Sequence, residues 1–145
     1  MKRHVALITL GLVCSAVSIG LLTPKPTRAA QTCSVGTLIG DYVGNLSGTT
    51  ASTGPVALQA LVQFAGDGTA TSPVATLMTQ TAGPITFTAN ITYTLNSDCT
   101  GTLTVVRSTG QTTHYVIAVA KEESEINLLA VDPGSVVTGT FKKSL

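Results

Sequence analysis

Residues 85–95 alternate almost without error, with Ile85, Phe87, Ala89, Ile91, Tyr93 and Leu95 interleaved by Thr86, Thr88, Asn90, Thr92 and Thr94. Successive side chains of a strand point to opposite faces, so this pattern predicts one apolar face and one threonine ladder. Weaker versions recur, and the chain reads as strands over 38–46, 56–64, 69–80, 85–95, 102–108, 112–120, 126–131 and 136–141. Turn chemistry separates them. Ser47-Gly48 ends the first, Gly66-Asp67-Gly68 suits a tight hairpin, and Asp132-Pro133-Gly134 closes the seventh. Pro73 lacks a ladder donor and is expected at an edge or a bulge.

Threonine and valine are stiff at the first side-chain torsion, which favours strand over helix. Short connections between successive strands make neighbours antiparallel, hence a meander. The expected fold is all-β, an eight-stranded up-and-down meander closing as a small barrel, with a two-layer β-sandwich as the alternative. Closure is preferred because it removes exposed strand edges.

The N-terminus follows a different logic. Met1-Lys2-Arg3-His4 is basic, residues 5–22 are apolar, and Thr23-Pro24-Lys25-Pro26 leads to Ala29-Ala30. That is the order of a secretory signal peptide, with cleavage expected after Ala29 or Ala30; a transmembrane anchor is the alternative. The division is therefore a leader over 1–30 and one β-barrel domain over 31–145. Secretion, extracellular or periplasmic, is the expected localisation, with no membrane association after cleavage. Loss of the leader leaves Arg107, Lys121, Lys142 and Lys143 against seven carboxylates, so +1 becomes −3. No basic stripe remains for a phosphate backbone, which argues against nucleic acid. Cleavage also removes Cys14 and leaves Cys33 and Cys99, an even pair expected to form a disulfide in an oxidising compartment. Cys33 precedes strand one and Cys99 follows strand four, so a meander puts both at one end. In a barrel such a bridge would draw the N-terminal lead-in across that mouth and plug it.

Gly40-Asp41-Tyr42, Gly66-Asp67-Gly68 and the run Tyr93-Thr94-Leu95-Asn96-Ser97-Asp98-Cys99-Thr100-Gly101-Thr102 resemble a group of uncharacterised secreted bacterial proteins. The resemblance implies a small exported β-barrel and assigns no functional residue. A looser likeness to lipocalins rests on Gly40-Asp41-Tyr42, where Tyr42 stands in place of their tryptophan, and supports only the barrel analogy.

Candidate chemistry is sparse. His114 is the only histidine of the mature chain, shares a face with Val116, and lacks a Gly-x-Ser-x-Gly nucleophile elbow to serve. It reads as a sheet-surface residue, and no catalytic residue is assigned. Asp67, Asp98 and Asp132 sit in turns, where such side chains bond their own backbone. Glu122, Glu123 and Glu125 lack calcium-loop spacing, and neither a metal nor a cofactor is expected. The aromatic residues Tyr42, Phe64, Phe87, Tyr93 and Tyr115 fall on apolar faces, as core or as the lining of a small-ligand pocket. An eight-stranded barrel interior can be filled or hold one small ligand. Three functions fit: a secreted binding module for a small apolar molecule, a structural or surface-interaction protein with a filled barrel, and a barrel isomerase or cyclase on a lipid-like substrate. Nothing in the residues fixes the oligomeric state.

Overall fold

The computed structural model describes residues 32–120 and 123–144. The expected leader, its cleavage site and the anchor alternative lie outside the described residues. After a short 3-10 turn at Val35–Thr37 come β1 (Ile39–Thr50), β2 (Gly54–Ala65), β3 (Thr69–Thr79) and β4 (Ile85–Leu95). These are followed by β5 (Thr100–Arg107), β6 (Thr112–Ala120), β7 (Glu125–Ala130) and β8 (Ser135–Lys143). Each strand pairs antiparallel with the next, and β8 returns to β1, so the meander closes as a barrel in chain order. The sandwich alternative is excluded by the β1–β8 ladder, which runs from Tyr42↔Lys143 to Thr50↔Ser135.

The apolar faces point inward. Tyr42, Phe64, Phe87, Tyr93, Tyr115 and Phe141 are all buried, as are Ile91, Ile117 and Ile126. On β4 the threonines and Asn90 are exposed, and Thr94 shares a 2.8 Å hydroxyl contact with Thr102 on β5. On β4, apolar inside and hydroxyl outside is the inverse of a lipid-facing strand, while other strands expose apolar side chains such as Val43, Val116 and Leu129. Among the described residues, no helix is long and apolar enough to cross a membrane.

The end of β1 departs from the simplest reading of the sequence. Ser47-Gly48 does not end β1; the strand continues to Thr50, and the turn falls at 51–53. Gly48 pairs with both Val56 and Val137, and a Cβ there would collide with the backbone of Val136 and Val137. Its small size lets β8 approach β1 rather than breaking the strand. Gly44 acts likewise: an added Cβ would lie 2.6 Å from Cγ of Phe141, so the missing side chain is replaced by that ring and leaves no void.

Pro73 sits at a bulge. Pairing of β3 with β4 slips between Ser72 and Ala75, and pairing of β2 with β3 slips between Leu61 and Gln63. Ser72 is buried, and its hydroxyl lies 2.8 Å from the Leu61 carbonyl and 3.2 Å from that of Val74. The hydroxyl thus supplies donor capacity where proline has no N–H, which is how a break in the ladder stays satisfied.

Candidate functional site

The two ends of the barrel are built differently. At the end reached by the β2–β3 and β4–β5 turns, Cys33 and Cys99 form a disulfide with Cα atoms 5.0 Å apart and a sequence separation of 66. Cys99 is held at φ 68°, an uncommon backbone angle for a non-glycine residue, between the Asn96 and Thr100 backbone contacts. The bridge holds the lead-in across the mouth, with Leu38 fully buried beneath it. Tyr93 donates its hydroxyl to the Val35 carbonyl at 2.9 Å, with the Leu38 carbonyl at 3.3 Å, and Tyr42 donates to the Glu123 carbonyl at 2.7 Å. Phe64 packs edge-on to both tyrosines, with centroids 5.2 Å away in each case. Such pairs add about 0.5–1.5 kcal/mol each beyond area burial. This end is plugged.

The opposite end is open. Its mouth encloses about 450 Å³ between the β1–β2, β3–β4, β5–β6 and β7–β8 turns, rimmed by Thr50, Thr53, Thr79, Thr113 and Asp132. Deeper lies an apolar chamber of about 50 Å³ walled by residues that include Phe64, Ile91, Leu103 and Leu128. Leu46, Leu58, Arg107 and Tyr115 line both spaces, so the chamber is the inner end of the mouth. By size the chamber takes a few water-sized groups, while the mouth falls in the range of small-molecule sites.

The five aromatic candidates divide. Phe64, Phe87 and Tyr115 line the chamber. Tyr42 and Tyr93 lie in the plug, with Phe64 between them and the chamber, and their hydroxyls are bonded to backbone carbonyls. Burial pushes the phenols of Tyr42, Tyr93 and Tyr115 up from their ordinary value; at Tyr115 the neighbouring Arg107 opposes that rise. All three are therefore neutral phenols at physiological pH, and those of Tyr42 and Tyr93 donate.

Arg107 is the residue that the sequence pattern did not single out. It follows Leu103 and Val105 in phase on β5 and pairs with the buried Ala89, which turns it inward. A charged residue continuing an apolar alternation was the available signal. Its guanidinium lies 4.9 Å from the Phe87 ring centroid, and Nη1 donates to Oε1 of Gln111 at 3.1 Å. Nε is buried and has no hydrogen-bond partner among the described residues.

The turn carboxylates behave in two ways. Asp67 and Asp98 accept from the backbone N–H two residues on, at Thr69 and Thr100, as expected of turn residues. Asp132 instead reaches across to β6. Its carboxylate accepts the His114 backbone N–H at 2.8 Å and meets Nδ1 of that ring at 2.7 Å. His114 remains a surface residue, with its side chain 53% exposed, so the pair does not place an imidazole in the chamber. Among the described residues, no cluster of three or more His, Cys, Asp or Glu side chains could hold a metal ion.

These hydrogen bonds hold all three carboxyls below the usual carboxylate range: the Thr69 hydroxyl first at Asp67, the Thr100 hydroxyl first at Asp98, and the His114 backbone first at Asp132. A depressed folded-state value means stability present above the unfolded value, near about pH 4, and lost as pH falls through the folded one. Urea unfolding midpoints are expected to hold from neutrality to about pH 5 and to decline below about pH 4. Asp132→Asn should flatten part of that decline; an unchanged acid limb would remove Asp132 from the explanation.

No family model matches the sequence, and no curated protein matches it. Among solved structures, the chain is similar to a de novo designed fluorescence-activating β-barrel. The TM-score is 0.50 at 8% identity, covering 76% of this chain and 96% of that chain. At that identity the likeness is one of fold.

Proposed function

We propose that this chain is an exported, non-catalytic binding module whose barrel takes a small apolar molecule through its open end. One observation carries the reading: an apolar chamber continuous with an open mouth, opposite an end closed by the disulfide and the lead-in. The designed barrel of the same fold is fluorescence-activating, which supports the reading by analogy of architecture alone. The disulfide fits an oxidising compartment, extracellular or periplasmic, and agrees with the leader pattern. A surface-interaction protein with a filled barrel is less well supported, because the mouth is not filled. An isomerase or cyclase would need His114 facing the chamber, and its ring is largely exposed.

The test is a fluorescence titration with Nile red, a neutral apolar dye. Saturable binding of one dye per chain is expected. Thr113→Trp, a bulky group on the mouth wall, should weaken it at least about tenfold, the loss that follows when a pocket position is obstructed by roughly 1.4 kcal/mol. Absence of saturable binding, or binding indifferent to Thr113→Trp, would remove the mouth as the site.

A further inference from the structure

We infer that the molecule held in the barrel is an amphiphile with a carboxylate head, its tail in the apolar chamber and its head on Arg107. This rests on the binding reading above and adds the chemical class of the ligand.

Three observations converge on Arg107. It lines both the chamber and the mouth, so its guanidinium stands where an apolar environment gives way to a threonine-lined one. Among the described residues lining the two spaces it is the one cation. Its Nε–H is buried without a partner among the described residues, although Nη1 is bonded to Gln111 and the plane is packed near Phe87. A buried donor left unsatisfied is costly, and buried polar atoms in folded proteins are otherwise nearly always paired. Nε is closed off in this conformation, so an acceptor arriving from the cavity would satisfy it by drawing the guanidinium toward the mouth.

The acceptor's chemistry follows from the donor. A guanidinium presents a planar fork that matches a carboxylate through two parallel hydrogen bonds. Tyr115 lines the same junction and offers a neutral phenol as a further donor. The competing charge is Asp132 on the mouth rim. One of its oxygens accepts the His114 N–H and the other meets the His114 ring, and among the described residues no ion pair joins it to Arg107. The chamber beyond Arg107, where Leu103, Ile91 and Leu128 offer only hydrocarbon, takes a few methylenes of an apolar tail, and the rest lies along Leu46 and Leu58, which line both spaces.

The experiment displaces Nile red from the native protein at pH 7 with octanoate, 1-octanol and octylammonium, which share a tail and differ in head. Octanoate is expected to bind at least about tenfold more tightly than octanol, the scale of a charge-assisted hydrogen-bond pair, and octylammonium more weakly than either. In Arg107→Gln the octanoate-to-octanol preference should fall to within about twofold, and Arg107→Lys, which keeps the charge but loses the fork, should retain only part of it. If the native protein binds Nile red but takes octanoate no better than octanol, the carboxylate assignment is overturned and the binding reading stands. A preference that survives Arg107→Gln also overturns it. If Nile red itself fails to bind, both fall together.

Discussion

Phe87→Ala is expected to cost about 3–5 kcal/mol, as deletion of a buried ring generally does. Thr88→Ala, one residue along the same strand, should cost under about 1 kcal/mol. Phe87 is 6% exposed, walls the chamber and packs under the Arg107 guanidinium, whereas Thr88 points to solvent. The contrast is large because a one-residue slip in register would exchange the two faces of β4 entirely. Chemical denaturation of both variants checks it. Equal losses, or a greater loss at Thr88, would mean that β4 is covered on both faces, which a single-walled barrel does not allow.

The second large effect is expected at the plug. Replacing both Cys33 and Cys99 with serine should lower stability by about 4 kcal/mol, the chain-entropy value for a closed loop of this size. It should also release the lead-in, because Cys33 is its covalent anchor and the Val35 carbonyl is where Tyr93 bonds. Hydrogen exchange should then rise over residues 33–38 while β6 and β7 change little. On the native protein, intact mass should be two hydrogens below the reduced form. Two thiols that alkylate freely without denaturant would remove the bridge from the account.

Much of this architecture was legible in the residues because period-two alternation is a direct consequence of burying one face of a sheet. The limits of β4 and β6 fall where their alternation starts and stops. The shared end of the two cysteines followed from counting turns in a meander, and the plug followed from that. The first strand ran longer than expected because glycine reads locally as a breaker. Gly48 is instead a point where two strand backbones approach too closely for a side chain, and that depends on β8, far away in sequence. Asp132 was misplaced for the same reason: its partner, the backbone of His114, belongs to a neighbouring strand rather than to its own turn.

The site was less legible than the fold. Aromatic residues on an apolar face carry no mark of which barrel end they occupy, and only the plug separates Tyr42 and Tyr93 from Phe87 and Tyr115. Arg107 carried a readable sign, a charge in phase with Leu103 and Val105, but counting it only toward net charge discarded that phase.

The most direct test of the central claim is amide chemical-shift mapping of the isotope-labelled protein titrated with octanoate. The account predicts saturable shifts at Leu46, Leu58, Arg107, Thr113 and Tyr115, around the mouth and chamber, with Cys33, Leu38 and Tyr93 in the plug unmoved. An outer groove over β5, β6 and β7 exposes Val116 and Leu129 and offers the same ligand an alternative apolar surface. Shifts confined to that groove, with the mouth silent, would contradict a ligand-binding interior.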